Sequence, residues 1–240
     1  MTEIQRYLAE EIAEDHADGL VSRREALRLI DATHIFAGRQ VAEWSGGGLK
    51  LHVVFDPVLE RPTCFAVTPK RVNDITAAKL MPIEAGATYV FDKGYYDYGF
   101  WARLHQQGCR FVTRLKKHAA VRHCEERQVE GEGILFDRVV RLSERLASQR
   151  RNPLTDPVRL IGVKIDTGRE ITVLSNDLTA PASEITGLYK ARWQVELLFK
   201  LWKSEGRIDE SRSAQPWRVL CEVYAKLAAM VSWRALPGPA

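Results

Sequence analysis

The apolar positions Ile4, Tyr7, Leu8 and Ile12 recur at helical spacing and predict a short amphipathic helix over residues 3–15. The weakly alternating stretch Ala26–Asp31 predicts a strand that delivers Asp31 at its C-terminal end. A second strand is expected to run from there to Trp44. Ser45 to Gly48 reads as a flexible hairpin loop, and Lys50 to Phe55 as a third strand completing an antiparallel meander. Asp56-Pro57 breaks that strand, and residues 73–80 read as a helix ended by Met81-Pro82. Ala87 to Phe91 is a short apolar strand that stops at Asp92-Lys93-Gly94, so a second aspartate leaves a strand into a turn. Tyr95 to Gln107 supports a helix closed by Gly108, and Arg110 to Thr113 a further strand.

Residues 115–180 change character. They are charged and irregular, with strand-like pieces at Leu135–Leu142, Val158–Ile165 and Glu170–Ser175, which predicts a β-rich subdomain set apart from the α/β layer. Ser183 to Ser204 then reads as one long helix between Pro181 and Gly206, followed by a last helix from Val219 to Trp233. The expected fold class is α/β, a mixed sheet flanked by helices with a β-rich insertion. The expected division is a lead-in helix over 1–22, a core over 23–114 and 181–240, and the β-rich segment over 115–180.

Composition narrows the class of protein. With 45% hydrophobic and 28% charged residues the chain is neither disordered nor fibrous. Its longest apolar runs, Leu51–Phe55 and Leu227–Trp233, fall well short of the roughly 18 residues that a membrane span needs. The acidic start lacks the basic and apolar regions of a signal peptide, so a cytoplasmic protein without membrane contact is expected. Cys64, Cys109, Cys124 and Cys221 form no Cys-x-x-Cys pair and read as reduced thiols. His118, His123 and Cys124 read as solvent-facing loop residues. Net charge is +4, but its distribution says more than its sum. Residues 1–20 carry six acids and one base; Arg103 to Arg127 carry seven bases and two acids; Tyr189 to Arg218 carry seven bases and four acids. Such basic stretches suit a phosphate-bearing partner, and a solvated basic face accounts for them equally well.

On the long predicted helix, Tyr189, Arg192, Glu196 and Lys203 fall within one narrow stripe, opposite Val195, Leu197, Leu198, Leu201 and Trp202. Arg and Glu four residues apart also occur on ordinary solvated helices. Either aspartate, taken alone, is also explained by a turn. Together they suggest more. Asp31, Asp92 and Glu196, two at strand ends and one on a flanking helix, can converge on one point. Three converging carboxylates need a cation, and an all-oxygen donor set selects Mg²⁺ or Mn²⁺. Two such ions about 3.5 to 4 Å apart suit phosphodiester cleavage or transfer.

The order Asp31, Asp92, Glu196 with Tyr189-x₂-Arg192-x₃-Glu196-x₆-Lys203 resembles the DDE transposases of bacterial insertion sequences, of the insertion-sequence-four type with the Tyr-Arg-Glu-Lys signature. That four-residue pattern arises by chance on the order of once per thousand chains of this length. Ile30-Asp-Ala-Thr-His-Ile35 and Asp92-Lys-Gly-Tyr-Tyr-Asp-Tyr98 resemble the segments around the family's first two acids, and the likeness runs from about Leu27 to about Trp233.

The resemblance implies a ribonuclease H-like fold with the insertion between the second Asp and the Glu. It makes Asp31, Asp92 and Glu196 catalytic residues and ligands of two Mg²⁺ or Mn²⁺ ions, with Tyr189, Arg192 and Lys203 on phosphates of the transposon end. Lys93, Arg114, Lys116 and Lys117 are further candidates for the DNA backbone. The implied partners are the inverted transposon ends, target DNA and a second copy in a homodimer. Only 30 residues precede Asp31, whereas relatives carry a DNA-binding region there, so a chain shortened at its front is expected. The alternative function is then a non-catalytic fragment that binds DNA or dimerises and inhibits a full-length copy.

Overall fold

The computed structural model describes residues 26–35, 45, 47–117, 119–144, 150–165, 168–211, 213 and 215–235. The predicted helix over 3–15, the lead-in segment 1–22, the strand toward Trp44 and His118 lie outside these. The elements are, in order, β1 (Leu27–Ile35), β2 (Leu49–Asp56), β3 (Arg61–Pro69), α1 (Asp74–Ala78), β4 (Thr88–Phe91), a 3₁₀ turn (Lys93–Tyr95) and α2 (Tyr98–Gln106). There follow β5 (Arg110–Arg114), β6 (Val121–Glu126), β7 (Ile134–Leu142), β8 (Val158–Lys164), β9 (Glu170–Ser175), α3 (Ala182–Ala191), α4 (Trp193–Ser204) and α5 (Pro216–Ala235). The nine strands form one sheet in the order β3-β2-β1-β4-β5-β9-β8-β7-β6. The pair β4/β5 is parallel, and β2/β3, β5/β9, β8/β9, β7/β8 and β6/β7 are antiparallel. The architecture is therefore mixed α/β with a large, mostly antiparallel sheet.

Four sequence expectations change. Asp31 does not end its strand but is the fifth residue of the nine in β1. The apolar pattern stops at Ile30, yet β1 lies between β2 and β4 in the sheet order and continues through Asp31–His34 to Ile35. The strand β3 was not among the expected elements; it is an edge strand, where the missing N–H groups of Pro62 and Pro69 are tolerated. Likewise β6 is exposed at every position and has no alternating pattern. Its identity comes from pairing with β7, so His123 and Cys124 face solvent from a strand rather than a loop. The β-rich segment does not stand apart from the α/β layer, since Val173, Leu174 and Ser175 of β9 pair with Arg114, Thr113 and Val112 of β5 and extend the same sheet.

The chain divides into two compact units, with the boundaries at Leu29/Ile30, Met81/Pro82 and Arg192/Trp193. The first holds Ile30–Met81 and the residues from Trp193. In it the β2/β3 hairpin turns at Asp56, whose Oδ1 accepts the Val58 and Leu59 N–H groups at 2.9 Å each. Val195, Leu198, Phe199, Leu201 and Trp202 are the buried side of α4, and Phe65 of β3 meets Tyr224 of α5 at 5.9 Å between ring centroids. A Cβ on Gly206 would lie 2.1 Å from Met230 Sδ and 2.8 Å from the Trp202 carbonyl, so only glycine lets these segments approach so closely.

The second unit holds Leu27–Leu29 and Pro82–Arg192. Its aromatic core centres on Phe91, whose ring centroid lies 5.6 Å from Phe100, 5.9 Å from Tyr95 and 6.3 Å from Phe111. Asn176, just after β9, accepts the Phe111 N–H at 2.7 Å and donates to the Cys109 carbonyl at 2.9 Å, which fixes the start of β5.

Candidate active site

In the second unit, β4 is buried throughout as Thr88-Tyr-Val-Phe91 and ends where Asp92 caps the following turn. Asp92 Oδ1 accepts the Gly94 N–H at 2.6 Å, and its carbonyl accepts the Tyr95 N–H at 3.2 Å and the Thr113 hydroxyl at 3.3 Å. Backbone on both sides thus sets the direction of this carboxylate. Because β4 and β5 run parallel with Val90 opposite Val112, Asp92 leaves its strand level with Arg114.

Tyr189 lies on α3, and its neighbours are the residues the sequence singled out. Burial pushes its phenol pKa up, the charges of Arg192 and Arg114 and a hydrogen bond with Arg192 pull it down, and the charge of Asp92 raises it further. The Arg192 guanidinium lies 5.8 Å from the Tyr189 ring centroid. Tyr189 is therefore a neutral hydrogen-bond donor at neutral pH, within the field of two guanidinium groups and a carboxylate. The structure brings Asp92, Tyr189, Arg192 and Arg114 into one electrostatic neighbourhood. Arg114 carried little signal in the sequence, since only the strand order reveals that it shares a sheet end with Asp92.

The anchoring of α3 is unusually polar. Asp177 Oδ1 accepts the N–H groups of Thr179 and Ala180 and the Thr179 hydroxyl, and Arg110 Nε lies 3.3 Å from Oδ2. Burial pushes the Asp177 pKa up, but those backbone and hydroxyl donors, with Arg110, outweigh it and leave the carboxyl below its ordinary value. Arg159 and Asp137, paired across β8 and β7 and both nearly inaccessible, form a two-pronged ion pair whose guanidinium also donates to the Ala180 carbonyl. These contacts fix the residues from which α3 starts.

The predicted single helix over 183–204 is two helices. The Arg192 backbone stays in the right-handed helical region, but its N–H reaches back only three residues, to the Tyr189 carbonyl at 3.3 Å. That tighter turn ends α3 and starts α4 at Trp193. Tyr189 and Arg192 consequently belong to the second unit, Glu196 and Lys203 to the first.

In the first unit, the half-buried Asp31 lies within β1, where its Oδ1 accepts the Ala32 N–H at 2.8 Å. Glu196 occupies the first turn of α4 and Lys203 the last, both half-buried and seven residues apart on one helix face. Burial and the charges of Lys70 and Lys50, with a smaller one from Lys203, lower the His34 pKa against the pull of Asp74. Lys203 is thus one of several cations around the end of β1. Lys93 is exposed, as are Lys116, which stacks 4.5 Å from the Tyr96 ring centroid, and Lys117.

Among the described residues no three His, Cys, Asp or Glu side chains form a group able to hold a metal ion. Asp31 and Glu196 belong to one unit and Asp92 to the other. As a donor set, three carboxylates still suit a hard divalent cation and no softer one. Among the described residues no helix is long and apolar enough to cross a membrane, and Cys64, Cys109, Cys124 and Cys221 are free thiols.

A mixed sheet carries an aspartate at a strand end near a helix that bears Tyr189 and Arg192. The chain belongs to the transposase DDE domain family, whose model matches residues 22–232. It is 38% identical over 212 residues to "Putative transposase y4zB" of Sinorhizobium fredii, an alignment covering 86% of this chain and 59% of that one. It is 24% identical over 263 aligned positions to the transposase for insertion sequence element IS231E of Bacillus thuringiensis subsp. finitimus, covering 86% of this chain and 55% of that one. The chain thus spans between half and three-fifths of the length of these curated relatives. Its fold is shared with the piggyBac transposase solved by cryo-electron microscopy in a synaptic complex with hairpin DNA, at a TM-score of 0.53, with 10% identity and coverage of 88% of this chain and 47% of that one.

Proposed function

We propose that the protein is the catalytic part of a DDE transposase of the Tyr-Arg-Glu-Lys type, which cuts DNA at insertion-sequence ends and joins the 3′-hydroxyls to target DNA. The observation that supports this reading is the electrostatic neighbourhood that Asp92 shares with Tyr189 and Arg192 of the signature, in a chain of the DDE family. On this reading 23–114 and 181–240 form a ribonuclease H-like core, and 115–180 is an insertion between the second acid and the third. Asp31, Asp92 and Glu196 would hold two Mg²⁺ or Mn²⁺ ions. When bound, such ions acidify an attacking hydroxyl and neutralise charge on the leaving oxygen.

The chain's own side chains do the rest. Arg192 forks onto non-bridging phosphate oxygens, and Lys203 adds a point charge. Tyr189, held neutral, donates one hydrogen bond to the same backbone, while Lys93 and Arg114 extend the contact along the strand. The partners are the inverted ends and target DNA, held by a homodimer that keeps two ends together.

The test is nicking and strand transfer on end-containing duplexes with and without Mg²⁺, using Glu196→Gln as the control. Activity should need the ion and fall to background in the variant. Equal activity in Glu196→Gln would remove Glu196 from the site, and ion-independent cutting would overturn the chemistry.

A further inference from the structure

Within the second unit, away from Asp92, the edge of the sheet carries a second cationic feature. Arg122 at the start of β6 and Arg141 near the end of β7 sit directly opposite each other in the ladder. Like charges in that relation repel, and the arrangement is eased when an anion sits between them. Both line a cleft of about 860 Å³ together with Arg151 and Glu144.

The cleft is built rather than incidental. Asn152, 1% exposed, donates its N–H to the Glu144 carbonyl at 2.8 Å and its side-chain amide to the Ser143 carbonyl at 2.8 Å, and accepts the Leu154 N–H at 2.9 Å. This staples the segment bearing Arg151 against the end of β7. Arg141 Nη1 donates to the Thr155 carbonyl at 2.5 Å, so one of the three guanidinium groups is fixed from within the protein. Arg122 and Arg151 are exposed. From Arg141 to Asn152 the sequence carries four arginines against the single acid Glu144.

The register places this cleft relative to Asp92. Asp92 is level with Arg114, and Arg114 pairs with Val173, Val173 with Ile161, and Ile161 with Asp137. Arg141 lies four residues beyond Asp137, and since β7 runs antiparallel to β4, that is toward the opposite end of the strands. Five strand spacings separate β4 from β6 in the sheet order. At ~4.8 Å per strand and ~3.3 Å per residue the separation is about 27 Å, or about eight base pairs at 3.4 Å each.

We propose that the Arg122–Arg141–Arg151 cleft grips the phosphate backbone of duplex DNA about eight base pairs from a phosphate held beside Asp92. The inference rests on the reading of the protein as a DNA-processing enzyme. Arginine-only cations match phosphate oxygens with forked hydrogen bonds, and exposed side chains on a rigid ladder read backbone rather than base sequence.

The experiment measures binding of the full chain to a 30-base-pair duplex and to a 6-base-pair duplex over a series of salt concentrations, for the wild type, Arg122→Ala/Arg151→Ala and Glu144→Gln. The double variant should lower the slope of log affinity against log salt by about two on the long duplex. It should weaken binding equally across unrelated sequences and leave the short duplex unaffected. Glu144→Gln should tighten the long duplex, a gain that a misfolded protein cannot give. An unchanged slope in the double variant, with normal wild-type binding, overturns the cleft while leaving the enzyme reading intact. A loss equal on both duplexes also overturns it. Wild-type protein that binds no duplex at all overturns the enzyme reading, and the cleft with it.

Discussion

Replacing Arg159 by Leu tests whether the polar anchoring of α3 is as consequential as its geometry implies. The guanidinium holds Asp137 through two bonds, Nε to Oδ1 being 2.8 Å, and a third bond goes to the Ala180 carbonyl two residues before α3. The side chains are 3% and 2% exposed, so water does not replace the lost partner. Removing the cation leaves a buried, unpaired carboxylate, which costs ~3–5 kcal/mol. The orphaned Ala180 carbonyl adds ~1 kcal/mol or more. Against a total stability of about 5–15 kcal/mol this is a large fraction. With a urea dependence of ~3 kcal/mol per molar, the unfolding midpoint read by circular dichroism should fall by at least about 1 M. Asp137→Leu/Arg159→Leu removes both charges and should recover most of the loss, because the desolvation penalty disappears with the pair. A single-variant cost under ~1 kcal/mol, or a double variant no more stable than the single one, would refute the reasoning.

Gly206→Ala should destabilise by ~1–3 kcal/mol, since the added methyl meets the Trp202 carbonyl, which cannot rotate away; a melting temperature within 1 °C of wild type would contradict this. Arg192→Lys keeps the charge but loses the fork, so binding of end DNA should weaken by about tenfold with little change in stability, as fluorescence anisotropy and thermal melting would show. Burial lowers the His52 pKa to about 4, so the folded form resists a proton that the unfolded chain accepts near 6.5. Stability should therefore decline as pH falls from about 6.5 to about 4, and His52→Gln should flatten that part of a denaturation-versus-pH curve. Asp177 acts in a lower window. Its depressed pKa contributes stability that is present above the ordinary carboxyl value and lost as pH falls through the folded one. Asp177→Asn should thus be less stable at pH 7 and lose less on acidification below about 4.

What the residues reveal by themselves depends on whether a feature is local. The strand ending at Asp92, the helix after it and the strand at Arg110–Arg114 were legible because burial of short apolar runs and the turn at Asp92-Lys-Gly94 are written in neighbouring residues. The Tyr189, Arg192, Glu196, Lys203 spacing was legible for the same reason, and with the aspartates it sufficed to indicate the family. Tertiary structure alone decided the rest. Edge strands β3 and β6 exist because a neighbouring strand offers a ladder, which proline-bearing or fully exposed residues do not announce. Asp31 sits inside β1, an interior strand of the sheet order, although its apolar pattern ends one residue earlier. The break at Arg192 depends on one hydrogen bond reaching three residues back instead of four, a choice that helical periodicity cannot distinguish. The approach of Arg114 to Tyr189, and the pairing of Arg122 with Arg141, follow from strand order and register, which bring together residues tens of positions apart.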